Sequence, residues 1–161
     1  MFGLSLYLTL ILIYNRNNTG AKYMSQLDEL IHSAENESMS VRISTGYDAA
    51  GRLYEAFKRV TDSKGASNLL YGMVYLITKQ VGRSISYKDY EFASKAIGSS
   101  VDYDRFLSKS RECADGNLFV NAIQRFSPEE TSALMAFCLM LFSADGYVDS
   151  REREFLSSIL E

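Results

Sequence analysis

Two stretches of the chain, YLITKQVGRSISYKDYEFASKAI (75–97) and CLMLFSADGYVDSREREFLSSIL (138–160), follow one plan. Gly82 aligns with Gly146. With a one-residue adjustment, Ser86 aligns with Asp149, Glu91 with Glu154, Phe92 with Phe155 and Ile97 with Leu160. Each unit reads as a buried helix, a glycine turn, a β-branched residue (Ile85 or Val148), a capping residue and an amphipathic helix. The β-branched residue plugs the gap between the two helices in the manner of a hydrophobic staple. Such a unit cannot bury its apolar face alone, so its repetition predicts a pseudo-two-fold helical domain with one shared core.

The remaining sequence continues the helical reading. Leu27, Leu30 and Ile31 share one stripe of a short first helix. Ala49, Leu53, Ala56, Phe57 and Val60 recur at helical spacing and predict a helix ending near Asp62-Ser63-Lys64-Gly65. Residues 69–81 are strongly apolar and predict a helix buried on most sides. Ser86, with Asp89 three residues on, is a capping-box variant opening a helix that stops at Gly98. Residues 101–113 and 118–126 are two further helical stretches. Ser127-Pro128-Glu129-Glu130 combines an N-cap serine, a proline at the first helical position and first-turn acids. The helix it opens, to about Phe142, is expected to be the core helix of the second half. Asp149 then caps a final helix with Glu152 at its third position and Phe155, Leu156, Ile159 and Leu160 facing inward. No stretch alternates with period two for long enough to make a sheet. The fold class is therefore all-α, a compact bundle of six to seven helices built on two similar helix-turn-helix units.

Composition narrows the function. With 17 Lys+Arg against 20 Asp+Glu the net charge is −3, which argues against a nucleic-acid protein. Cys113 and Cys138 are too few for a disulfide framework or a four-thiolate zinc site. His32 is the only histidine, which argues strongly against multi-histidine metal sites and hydrolase triads. Cys138 reads as a core thiol and His32 as a surface residue. No nucleophile–base pair and no phosphate loop is recognisable, so the chain reads as non-enzymatic. The acidity is local: from Pro128 onward there are seven acids and two bases.

The N-terminus stands apart. Residues 2–14 (FGLSLYLTLILIY) carry no charge. As a helix they would span about 20 Å, short of the roughly 30 Å hydrocarbon core. They lack the basic start and small-x-small cleavage site of a signal peptide. Arg16 and Lys22 follow, and would hold the body in the cytoplasm if the segment were an anchor to the inner membrane. Met24 opens a sequence that reads as an ordinary soluble start. A mis-assigned start, a short membrane anchor and a cleaved signal are the three readings. The domain division is an apolar segment over 1–23 and a helical domain over 24–161. Without the first 23 residues the balance is 15 bases against 20 acids, or −5.

The stretch LFSADGYVDSREREFLSSIL resembles the signature of the TerB-like family, in which a helix ends in Ala-Asp-Gly before an apolar residue, a short polar gap and an acidic helix start. The first unit, YLITKQVGRSISYKDYEFAS, is similar to the first half of the same domain in membrane-anchored DnaJ-like co-chaperones. The resemblance covers roughly residues 69–160. It implies an all-helical fold of about seven helices, association with tellurite resistance and envelope stress in bacteria, and a divalent-metal or partner-binding role for the acidic turn. The residues matching that turn are Asp145, Asp149 and Glu152. The first unit departs from the pattern: Val81 stands where an acid would match Asp145, flanked by Lys79 and Arg83, and no His-Pro-Asp of a J domain occurs.

Asp145, Asp149 and Glu152 therefore carry two readings. With Gly146 at position six of an EF-hand loop, Asp149 and Glu152 fall at nine and twelve, but Leu141 and Ser143 fall where oxygen ligands are needed. The pattern argues against a complete EF-hand and leaves a cluster of up to three carboxylates around one turn, of the kind that binds Ca²⁺ or Mg²⁺ weakly. The other reading is structural: Asp145-Gly146 is a turn pair and Asp149 with Glu152 a capping box. Tyr71, Tyr75, Tyr87 and Tyr90 cluster around the first unit, as core and rim packing or as a face that binds a protein partner. The expected function is that of a TerB-like, partner-binding protein that takes a cation at the acidic turn. A helical adaptor without metal and a metal-dependent hydrolase are the alternatives.

Overall fold

Helix starts in this chain are set by side chains. In the computed structural model, which describes residues 20–160, Ser38, Asp62, Ser86, Asp102, Asp115 and Ser127 each accept a hydrogen bond from the backbone N–H three residues on. These caps satisfy donors that the first helical turn leaves without an intrahelical partner. Among the described residues there are eight helices and no strand: α1 (Gly20–Glu35), α2 (Met39–Phe57), α3 (Ser63–Gln80), α4 (Tyr87–Ala96), α5 (Tyr103–Glu112), α6 (Gly116–Ile123), α7 (Pro128–Phe142) and α8 (Ser150–Leu160).

The all-α expectation holds, with one helix more than the upper figure. The differences lie at helix starts. α2 begins at Met39, ten residues before the apolar stripe that predicted it, because Ser38 caps it. α2 also ends at Phe57, so Asp62 does not close that helix. It caps α3 instead, which starts six residues earlier than expected. α1 runs across the expected 23/24 boundary. The apolar segment 2–14, and with it the expectation of a membrane tether, lies outside the described residues. Among the described residues no helix is long and apolar enough to cross a membrane.

α7 is the centre of the molecule. Every residue from Ser132 to Phe142 is buried, as a helix that is apolar on all sides must be. Its main neighbour is α2, which also packs on α4 and α3, while α3 packs on α5 and α8 on α7. The two aligned glycines sit at the corresponding turns. Gly82 (φ +77°) and Gly146 (φ +92°) both take the left-handed conformation that ends a helix at low cost only for glycine. The two plugs behave as the repeat predicts: Ile85 and Val148 are both buried in the core.

Candidate functional site

The acidic turn follows directly from the end of α7. Ser143 caps that helix, and Gly146 reverses the chain. The Asp145 carboxylate accepts a hydrogen bond from the Tyr147 N–H (3.1 Å), an Asx turn. Asp149 and Glu152 form the reciprocal capping box. The Glu152 N–H donates to Asp149 Oδ1 (2.8 Å), and the Asp149 N–H donates to Glu152 Oε1 (3.0 Å).

The other oxygen of Glu152 is also taken. Arg83, from the α3–α4 turn of the first unit, donates from Nε to Glu152 Oε2 at 3.1 Å, with Nη2 3.0 Å away. The same guanidinium is bidentate to Asp89, through Nη1 to Oδ2 and Nη2 to Oδ1. Asp89 is the third residue of α4, where it closes the capping box with Ser86. Asp89 and Glu152 thus hold equivalent places in the two repeats, each is 3% exposed, and one arginine joins them. Arg83 also stands over the Phe142 ring, 6.0 Å from its centroid.

The electrostatics follow from two carboxylates sharing one cation. Burial alone would lower the Arg83 pKa, but the hydrogen bond and charge of Asp89, and then those of Glu152, hold it above the ordinary arginine value. For Glu152, burial outweighs the Asp149 N–H and the Arg83 charge, so its carboxyl sits above the ordinary value of 4.5. Both values rise, which favours the charged form of Arg83 and the neutral form of Glu152, because Arg83 faces two anions whereas Glu152 receives only a share of one cation.

A second arginine lies beneath the turn. Arg42 on α2 is 3% exposed, donates from Nη2 to the Ala34 carbonyl (2.7 Å) and from Nε to Ser143 Oγ (3.2 Å). Burial lowers its pKa against the opposing fields of Glu37 and Asp145. Glu35 Oε2 accepts from the Val148 N–H (2.8 Å), and Asp28 pairs with Arg153, so α1 is fastened to the same turn.

The metal expectation at Asp145, Asp149 and Glu152 does not fit this chemistry. Both oxygens of Glu152 and one of Asp149 already accept hydrogen bonds that hold the helix and the two units together. The positive charge serving Glu152 is a guanidinium. Among the described residues no group of three His, Cys, Asp or Glu side chains is placed to hold an ion.

The tyrosines divide. Tyr87, Tyr90 and Tyr103 form a triangle with ring centroids 5.4–5.6 Å apart, and Tyr90 and Tyr71 both pack on Phe106. Tyr75 stands outside this set, with the Lys79 ammonium over its ring. The Tyr90 hydroxyl donates to the Val101 carbonyl (2.7 Å) and that of Tyr103 to the Ile85 carbonyl (2.8 Å), so both rings are fixed. Tyr87 rests on them and is 56% exposed. Tyr103 and Phe106 were missed from sequence; their three-residue spacing on one helical stretch was the available signal. His32 is exposed, Cys138 is buried with its thiol pKa pushed up by burial, and both cysteines are free.

No family model, curated protein or solved structure matches the chain.

Proposed function

We propose that the chain is a non-enzymatic, TerB-like helical adaptor that binds a protein partner through the face around Tyr87. The observation that carries this reading is the construction of that face. Tyr90 and Tyr103 are locked by hydrogen bonds to backbone carbonyls, and they support a tyrosine ring that stays largely in solvent. Such a ring offers contact area at little cost in side-chain entropy, the property that makes tyrosine frequent at interface hot spots. The TerB-like assignment and its link to tellurite resistance and envelope stress rest on the motif resemblance. The cation is not carried into the proposal, because the carboxylates that would bind it are already engaged.

The test is photo-crosslinking in native cells. A photoreactive residue replaces Tyr87 in one full-length variant and Val120, an exposed apolar residue on α6, in a control. The expected result is a discrete adduct at position 87 that is absent at 120 and unchanged by EDTA. The adaptor reading fails if position 87 gives none. An adduct lost with EDTA would return the argument to the cation.

A further inference from the structure

The cluster joining the two repeats is short of one positive charge. Asp89 and Glu152 supply two carboxylates, both nearly buried, and Arg83 supplies one guanidinium. The other charged groups around Glu152 do not make up the difference. Asp149, from the turn, is a third acid against it. On α8 itself Arg153 is paired with Asp28 of α1, and Arg151 lies beside Gly82. Lys79 of α3 lies over the Tyr75 ring. α7 contributes only the Phe142 ring.

We infer that the Asp89–Arg83–Glu152 cluster is a proton-operated latch, docking α8 against the first repeat more firmly in mild acid than at neutral pH. A proton on Glu152 cancels the excess charge. The proton weakens the hydrogen bond accepted by the oxygen that carries it, but the other oxygen of Glu152 keeps its own donor, and Arg83 keeps its bidentate pair with Asp89. When α8 swings away, Glu152 enters water and holds its proton with ordinary affinity. Docking and protonation therefore favour one another, and opening releases the proton. Burial of the docked carboxyl acts in the same direction.

What the latch controls is also visible. α8 carries Phe155 edge-on against Phe142 (5.8 Å between centroids) and the buried Leu156. It forms one wall of a groove of about 460 Å³, between Arg151, Glu154 and Phe155 on one side and Gln80–Gly82 on the other. Undocking opens this groove and uncovers both apolar side chains, so exposure of this side is greatest at neutral pH.

Amide hydrogen exchange of the full chain across α8, corrected for intrinsic rates and referenced to α5, tests the latch. The opening constant of α8 is expected to fall on acidification between the raised Glu152 value and 4.5, with a limiting slope of about tenfold per pH unit for one proton. Glu152→Gln should show no such dependence and should stay as closed as the acidified wild type. Asp89→Asn keeps a capping oxygen but leaves Arg83 to Glu152 alone, so acid should then loosen α8. It supplies the test if Glu152→Gln does not fold. Opening that grows with acid in the wild type, or an unchanged profile in Asp89→Asn, overturns the latch.

Discussion

Removing Arg83 would strand two buried carboxylates at once. Breaking a buried pair by deleting one partner costs about 3–5 kcal/mol, because the remaining charge stays desolvated without compensation. Arg83→Ala is therefore expected to lose about that much stability, read from urea unfolding with the slope unchanged. Arg83→Lys should recover only part of the loss, since an ammonium cannot reproduce the fork that reaches Asp89 and Glu152 together. A loss below about 1 kcal/mol for Arg83→Ala would mean that the carboxylates find water or another cation. At this scale the sequence was only half legible. The caps Ser86, Ser127 and Asp149 could be read because each needs only a residue three positions on. Arg83 could not, because its second partner lies 69 residues away. In sequence it looks like a departure from the acidic pattern of the turn, whereas in the fold it supplies the charge that pattern needs.

Between elements, the close approach of α3 to the end of α5 depends on a glycine. A Cβ at Gly72 would overlap the Cys113 carbonyl and crowd Ala114, backbone atoms that cannot rotate aside. Gly72→Ala should therefore separate the two helices and cost about 1–3 kcal/mol as overpacking, despite alanine's better helix propensity. Gly51, also in a helix but with open space around its Cβ position, is the control: Gly51→Ala should be neutral or stabilising by up to about 1 kcal/mol. Thermal unfolding of the two variants side by side decides it. Helix starts were the part of the fold least legible in sequence. α2 hides its first three turns because its buried face there is Arg42, Thr45 and Gly46 rather than aliphatic residues. Arg42 faces inward to hold the end of α1 and the acidic turn, and Gly46 leaves room for the Phe92 ring. Hydrophobic periodicity cannot register a face built for those purposes. α7 was fully legible, since nothing in its last three turns is strongly polar.

Across the whole molecule, acid acts on two glutamates in opposite senses, although both sit at the third position of a capping box. Glu130 of α7 accepts from the Ser127 N–H and pairs with Arg59 beyond the end of α2. The Arg59 hydrogen bond, more than burial opposes it, holds the Glu130 pKa below its ordinary 4.5. A depressed folded pKa means that the ionised form is favoured by folding. Its stabilisation is fully present above 4.5 and is lost as pH falls through the folded value. Glu152 is raised, so folding favours its neutral form. Its contribution is greatest below 4.5 and fades as pH rises through the folded value. The two windows lie on opposite sides of 4.5 and separate cleanly. Glu130→Gln is expected to flatten the acid limb of the stability–pH curve and to lower stability above 4.5, where the pair with Arg59 is lost. Glu152→Gln should do the reverse, raising stability at neutral pH toward the wild-type value in mild acid. Urea midpoints measured across both windows for the two variants check the assignment. The same limb altered in both variants would mean that Arg59 and Arg83 play equivalent parts, and that the excess carboxylate at the junction of the repeats has no separate effect.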